Sequence, residues 1–167
     1  RPFRRMAVSS CATSFHRNCW RAFAGNSSRT WTHSNPEFPA KTFKEFITLA
    51  KANPGKYANA SSGSGSSGHL AMEMVKQAAG IDVLHVPYKG GAAAITDVIG
   101  GQVHMMFAIM QSATSHVKSG KLKALAVTGP RRSAAVPELP TISESGVPGY
   151  EFMSWNGVHV PAGTPRA

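Results

Sequence analysis

Eleven consecutive residues, Asn59-Ala-Ser-Ser-Gly-Ser-Gly-Ser-Ser-Gly-His69, hold five serines, three glycines and a histidine. They sit between a short apolar-to-polar run, Lys56 to Ala60, and an amphipathic pattern that begins near Leu70. A strand that ends in small residues and opens a helix builds an anion site. Glycine lets the backbone pass close to a ligand, serine hydroxyls donate, and the first helical turn offers unpaired N–H groups at the positive end of its dipole. The expected guest is a carboxylate or a phosphate, and the candidate contacts are Ser62, Gly63, Ser64, Gly65 and Ser66. These serines can also simply cap the helix, a role that uses the same geometry. His69, one turn into the helix, can donate to a carboxylate or to a loop carbonyl. Tyr88, Lys89 and Gly90 follow the next apolar run and can line the same cleft, although Lys89 reads equally well as a solvated loop charge.

Other chemistries compete for the same residues. Gly-Ser-Gly-Ser-Ser-Gly has linker composition, yet it lies inside an alternating strand and helix pattern. Gly63-x-Gly65-x-x-Gly68 satisfies the dinucleotide fingerprint, which needs an acid for the ribose at the end of the following strand. That strand, Ile81 to Val86, runs into Pro87-Tyr88-Lys89, and Asp82 lies at its beginning. An NADP-binding oxidoreductase domain, with Lys89 meeting a 2′-phosphate, therefore stands as the alternative. No Gly-Lys-Ser/Thr follows for a phosphate-binding P-loop, and no frame supplies a nucleophile elbow. The seven histidines show no metal-ligand spacing, so neither a metal nor a cofactor is expected.

Charge and composition narrow the class. The chain has 167 residues, 42% of them hydrophobic, with a net charge of +10. Residues Arg1 to Pro36 carry six arginines and no acid, so most of the basic excess lies in the leader rather than on a patterned face. That distribution argues against a nucleic-acid module. No apolar run approaches the roughly 18 residues of a membrane span. Two cysteines, Cys11 and Cys19, make neither a disulfide framework nor a zinc site arguable. Residues 1–34 show no sustained period and are expected to be an irregular or disordered leader, without a secretory h-region.

The elements that must position the loop are legible as a beat of helices and strands. Thr42 can cap a helix with Phe43, Phe46, Ile47 and Ala50 on one face, ending before Asn53-Pro54-Gly55. Leu70, Met74, Val75 and Ala78 form a second stripe, closed by Gly80. A strand over Ile81 to Val86, a helix over Ala92 to Ile99 and a strand over Gln102 to Met110 follow. A short helix from Ser112 to Lys118 and a strand over Leu122 to Thr128 complete the series. Alternation of this kind predicts an α/β domain with a mostly parallel sheet flanked by helices, with ligands at the carboxyl ends of the strands.

Several ordered blocks carry a family resemblance: the Ser/Gly run itself, His85-Val-Pro-Tyr-Lys-Gly-Gly91, Asp97-Val-Ile-Gly-Gly-Gln-Val103, Ser119-Gly-Lys-Leu-Lys-Ala-Leu-Ala-Val-Thr128, Val136-Pro-Glu-Leu-Pro through Gly149-Tyr150, and Ser154-Trp-Asn-Gly157 with Pro161-Ala-Gly-Thr-Pro165. Over residues 35–165 the chain resembles the Bug-type substrate-binding proteins of tripartite tricarboxylate transporters. The resemblance implies one lobe of a type II periplasmic-binding-protein-like fold. It implies a periplasmic, monomeric receptor that closes on a small organic carboxylate, performs no chemistry, and delivers it to membrane permease subunits.

Departures from that pattern set further expectations. The family commonly has an acid at the positions of His104 and Ala108. An acid at Ala108 would pair with the ammonium of an amino-acid ligand, so its replacement favours ligands without an amine. His104 is expected to be a surface-facing strand residue, Trp155 a core or hinge residue, and Met105, Met106 and Met110 a buried strand. Such receptors are usually about twice this length, so the chain is expected to be a fragment. On this reading residues 35–152 form the ligand-binding lobe and 153–167 begin the return to a missing first lobe.

Overall fold

The computed structural model describes residues 21–28 and 30–160. The expectations for residues 1–20, 29 and 161–167, the two cysteines and the Pro161 to Pro165 block among them, lie outside that range. The chain divides into two units, Arg1–Ser27 with Trp155–Ala167, and Ser28–Ser154. In the first, strand β1 (Arg21–Ser28) pairs with β7 (Ser154–Val160).

The second unit is built on a five-stranded sheet. Its strands are β2 (Thr30–Ser34), β3 (Ala58–Ser61), β4 (Leu84–Pro87), β5 (Met105–Ile109) and β6 (Lys123–Val127), in the order β4-β3-β5-β2-β6. Strand β3 runs parallel to β4 and β5, whereas β2 runs antiparallel to both β5 and β6. Four strands thus share one direction and a single strand opposes them, as the α/β reading of the alternation expects. Helices α1 (Phe43–Ala52) and α2 (Ser67–Ala79) cover one face, burying Phe43, Phe46, Ala71, Met72 and Val75 with Met105 and Phe107. Helices α3 (Gly91–Ile99) and α4 (Met110–Lys118) cover the other, where Ala94, Ile95, Val98 and Ala113 meet Ala60, Met106 and Ala108.

Three expectations are corrected here. The sheet does not begin after Ser34: Thr30–Ser34, assigned to the leader, is the strand between β5 and β6, and all five residues are buried. Its Thr-Trp-Thr-His-Ser sequence hides the burial because four of its five residues are polar, where a strand covered on both faces normally reads as an apolar run. Thr32 tolerates burial by inserting its hydroxyl into the ladder. Its Oγ1 accepts the Ala126 N–H at 2.9 Å and donates to the Ala126 carbonyl at 3.2 Å, beside the register shift between Thr32 and His33.

The second correction concerns α2. The helix starts at Ser67 and buries Gly68, Ala71, Met72 and Val75, leaving Leu70 49% and Met74 40% exposed and Ala78 exposed. The true stripe lies one residue away because Gly68, invisible to a hydrophobicity count, is its first member. Thr42 caps α1 through the Glu45 N–H, and Glu45 Oε2 reaches back to the Lys41 N–H, as sequence capping rules expect.

His104 is not a surface-facing strand residue either. It precedes β5, half-buried, and its Nδ1 accepts the Ala58 N–H at 3.1 Å while Phe38 and Tyr57 pack edge-on against the ring. It fastens the start of β3.

Asn35 joins the chain entering the lobe to α3. Its Nδ2 donates to the Val98 and Ile99 carbonyls at 3.1 and 3.0 Å, and its Oδ1 accepts the Glu37 N–H at 2.7 Å. Two of these three bonds also quench orphan carbonyls at a helix end. Asn35→Ala is therefore expected to cost about 2 kcal/mol of folding stability, measurable by chemical denaturation.

Candidate functional site

Two crossover loops leave the sheet at the carboxyl ends of β3 and β4 and open α2 and α3, while β5 runs directly into α4. The first is the Ser/Gly loop. Gly63 and Gly65 have φ of +143° and +78°, conformations that L side chains rarely adopt, so the glycines shape the turn. Ser66 is the N-cap of α2, its Oγ accepting the His69 N–H at 3.4 Å. Because that bond uses only the oxygen, the hydroxyl proton remains available to a ligand. Ser62, Ser64 and Gly65 are exposed at the loop surface.

Ser61, the last residue of β3, ties the loops together. It is fully buried; its Oγ accepts the Gly63 N–H at 3.2 Å, lies 3.0 Å from the Gly63 carbonyl, and sits 2.7 Å from His85 Nε2. The Ser61 carbonyl accepts the Tyr88 N–H at 2.9 Å. A Cβ on Gly63 would lie 3.6 Å from the Tyr88 carbonyl, so the two loops are neighbours. Gly68 explains how α2 reaches them: a Cβ there would meet the Phe107 carbonyl oxygen at 2.6 Å, so only glycine lets the helix start rest on β5.

Two imidazoles border the loop. His69 and His85 stack with ring centroids 3.8 Å apart at 14°, and His69 Nδ1 accepts the Gly65 N–H at 3.1 Å. His69 thus accepts a loop N–H where donation to a loop carbonyl was the expectation. Burial, then the neighbouring His69, holds His85 below the ordinary histidine range. In the second loop the Tyr88 hydroxyl donates to Asp97 Oδ2 at 2.7 Å, and that bond first, with burial second, raises the phenol above its usual range. Lys89 is exposed, and Gly90, with φ of +128°, is the N-cap of α3.

The structure therefore gathers Ser62, Gly63, Ser64, Gly65, Ser66 and His69 in one loop and sets the backbone of Tyr88 beside it. Tyr88's hydroxyl is spent on Asp97. Ala108, the residue after Phe107, is buried beneath α3 and α4 opposite Trp31 on β2. Ser61 and His85 were missed, since nothing in sequence links positions 24 apart. A strand-terminal serine and an alternate-position histidine on the next strand were the available signals.

A Ser–His pair at 2.7 Å has the geometry of an activated nucleophile. Here the serine is fully buried and engaged by the Gly63 backbone, so the pair reads as a clamp on the turn. Among the described residues no cluster of His, Cys, Asp or Glu could hold a metal ion. An open groove of about 720 Å³ lined by Ala50, Lys51, Lys76, Gly80 and Asp82 lies at the carboxyl end of α2, away from the loop at its amino end.

The chain is similar to proteins of one family. The profile of the family described as "Tripartite tricarboxylate transporter family receptor" matches residues 26–167. A UPF0065 protein encoded in the tcbD-tcbE intergenic region of Pseudomonas sp. (strain P51) is 40% identical over 124 residues, covering 74% of this chain and 37% of the relative. An R. palustris protein solved with adipate superposes with a TM-score of 0.81 at 33% identity, over 86% of this chain and 48% of the other. MatC from Rhodopseudomonas palustris, with bound malate, gives 0.78 at 26% identity, over 87% and 50%. The chain thus spans about half the length, or less, of these three proteins. The match begins ahead of β2, and the Bug-type resemblance carried by the sequence blocks holds: the chain belongs to the tripartite tricarboxylate transporter receptor family.

Proposed function

We propose that this chain is a ligand-binding lobe that recognises a small organic carboxylate through the Ser/Gly loop, without chemistry, for delivery to the permease of a tripartite tricarboxylate-type transporter in the periplasm. The observation that carries the reading is the loop itself. A family member presents glycine-shaped backbone, a capping serine with a free hydroxyl proton, and the amino end of a 13-residue helix together at the carboxyl ends of parallel strands. Relatives solved with adipate and malate support a dicarboxylate. The absence of an acid at Ala108 supports a ligand without an ammonium group. The oxidoreductase alternative has no support: the end of β4 carries Tyr88 and Lys89 where a ribose needs an acid, and the family match points away from it.

Ser66→Ala tests the assignment. Removing the hydroxyl should weaken binding of adipate or malate by about 1–3 kcal/mol and lower folding stability by about 1 kcal/mol through the lost cap. Calorimetric titration of the two proteins decides it. Unchanged affinity in a variant that folds and binds would place the carboxylate elsewhere.

A further inference from the structure

We propose that His69 is a specificity-determining residue of this loop: its Nδ1 occupies the Gly65 N–H that a ligand carboxylate takes, and the ligand replaces it with uptake of one proton by the His69–His85 pair. The inference rests on the carboxylate-binding reading above.

The geometry fixes the starting state. Gly65 N–H donates to His69 Nδ1 at 3.1 Å, so Nδ1 carries a lone pair and His69 is neutral, with its proton on Nε2. That Nε2 faces Glu73 Oε1 at 3.9 Å. The imidazole lone pair therefore stands where a carboxylate oxygen would accept the same bond. An ionised carboxylate is the stronger acceptor, because charge-assisted hydrogen bonds are roughly twice as strong as neutral ones. Once displaced, however, a bare Nδ1 lone pair would face an anion. A proton on Nδ1 removes that repulsion and converts the competitor into a second donor to the same carboxylate. The proton comes from solvent, the bond from Gly65 N–H to Nδ1 breaks, and bonds from Gly65 N–H and Nδ1–H to the carboxylate form.

His85 limits the exchange to one proton. Stacked 3.8 Å away, it cannot be charged together with His69 without strong repulsion. It is also the partly desolvated member and is fixed by Ser61 Oγ at 2.7 Å, so it stays neutral. The other charged groups near the pair are Glu73 and Lys76 from α2, while β3 contributes only the neutral Ser61 hydroxyl. Lys76 Nζ holds Glu73 at 3.0 Å, which mutes the carboxylate's pull on His69.

The test is calorimetric titration of malate into the 167-residue protein at about pH 6.5 and pH 8.5, in pairs of buffers with different ionisation enthalpies. Amide shifts are recorded in parallel. The expected results are affinity about tenfold tighter at the lower pH, with net uptake approaching one proton per ligand there and falling toward none at the higher pH. His69→Asn keeps an acceptor at the position of Nδ1 for the Gly65 N–H but cannot titrate, so it should bind with no pH dependence and no proton uptake. Binding at Gly63–Ser66 with no pH dependence in the wild type overturns this inference and leaves the functional reading standing. So does pH dependence that survives unchanged in His69→Asn. No amide shift and no heat at either pH overturns both.

Discussion

Gly68→Ala is expected to lower folding stability by about 3 kcal/mol and to abolish carboxylate binding. The added Cβ would lie 2.6 Å from the Phe107 carbonyl oxygen, a backbone atom held in β5 between β3 and β2. Neither partner can yield without shifting α2 off the sheet, and overpacking of this kind costs about 1–3 kcal/mol. Lifting the helix start also moves the loop that ends at Ser66, so binding should suffer beyond the stability loss. Gly65→Ala is the control. It meets nothing within 4 Å but needs φ of +78°, a strain of about 1–2 kcal/mol. Denaturant midpoints and malate titrations of both variants check the pair. A Gly68→Ala protein as stable as the wild type would show that α2 does not rest on β5 through this residue.

Acid should destabilise the lobe well above the range where carboxylates titrate. His33 on β2 is fully buried, stacked on Trp31 at 5.8 Å, and neither ring nitrogen has a well-formed hydrogen bond among the described residues. Burial lowers its pKa from 6.5 to about 4. The folded pKa is depressed, so the unfolded state binds the proton first and stability falls as pH drops from about 6.5 through 4. The loss approaches about 3 kcal/mol near pH 4, because a one-unit difference in pKa between the folded and unfolded chain corresponds to about 1.4 kcal/mol. His104, depressed by burial and then by Lys56, acts with the same sign. Glu144, held below its ordinary range first by the Thr141 N–H, titrates at more acid pH and does not blur this window. His33→Leu should flatten most of the slope and raise stability at neutral pH, because two poorly satisfied buried nitrogens disappear. Thermal melts between about pH 7 and 4 test this, and an unchanged slope in the variant would contradict it.

How much of this was legible in the sequence differs from element to element. The Ser/Gly loop was, because glycine and serine punctuate a chain where backbone must turn and a helix must be capped. Helix α1 was, because Phe43, Phe46, Ile47 and Ala50 leave only one face to bury. Strand β2 was not. A strand flanked on both sides normally reads as an apolar run, and Thr30, Thr32, His33 and Ser34 conceal one whose cost of burial is met partly by Thr32 bonding into the ladder. The core stripe of α2 was misplaced because its decisive contact is made by a residue with no side chain. The stack of His69 on His85, and its link to Ser61, were beyond reach because parallel pairing of β3 with β4 brings those residues together across a crossover.

The central claim, that the Ser/Gly loop is the carboxylate contact, is tested most directly by backbone amide shifts of the 167-residue protein during titration with adipate and malate. Saturable shifts should concentrate at Gly63, Gly65 and Ser66, with a dissociation constant on the order of millimolar. One open loop supplies a few modest hydrogen bonds against an association cost of about 4 kcal/mol or more. Shifts confined to the groove at Lys51, Lys76 and Asp82, or no saturable shift with either dicarboxylate, would contradict the account.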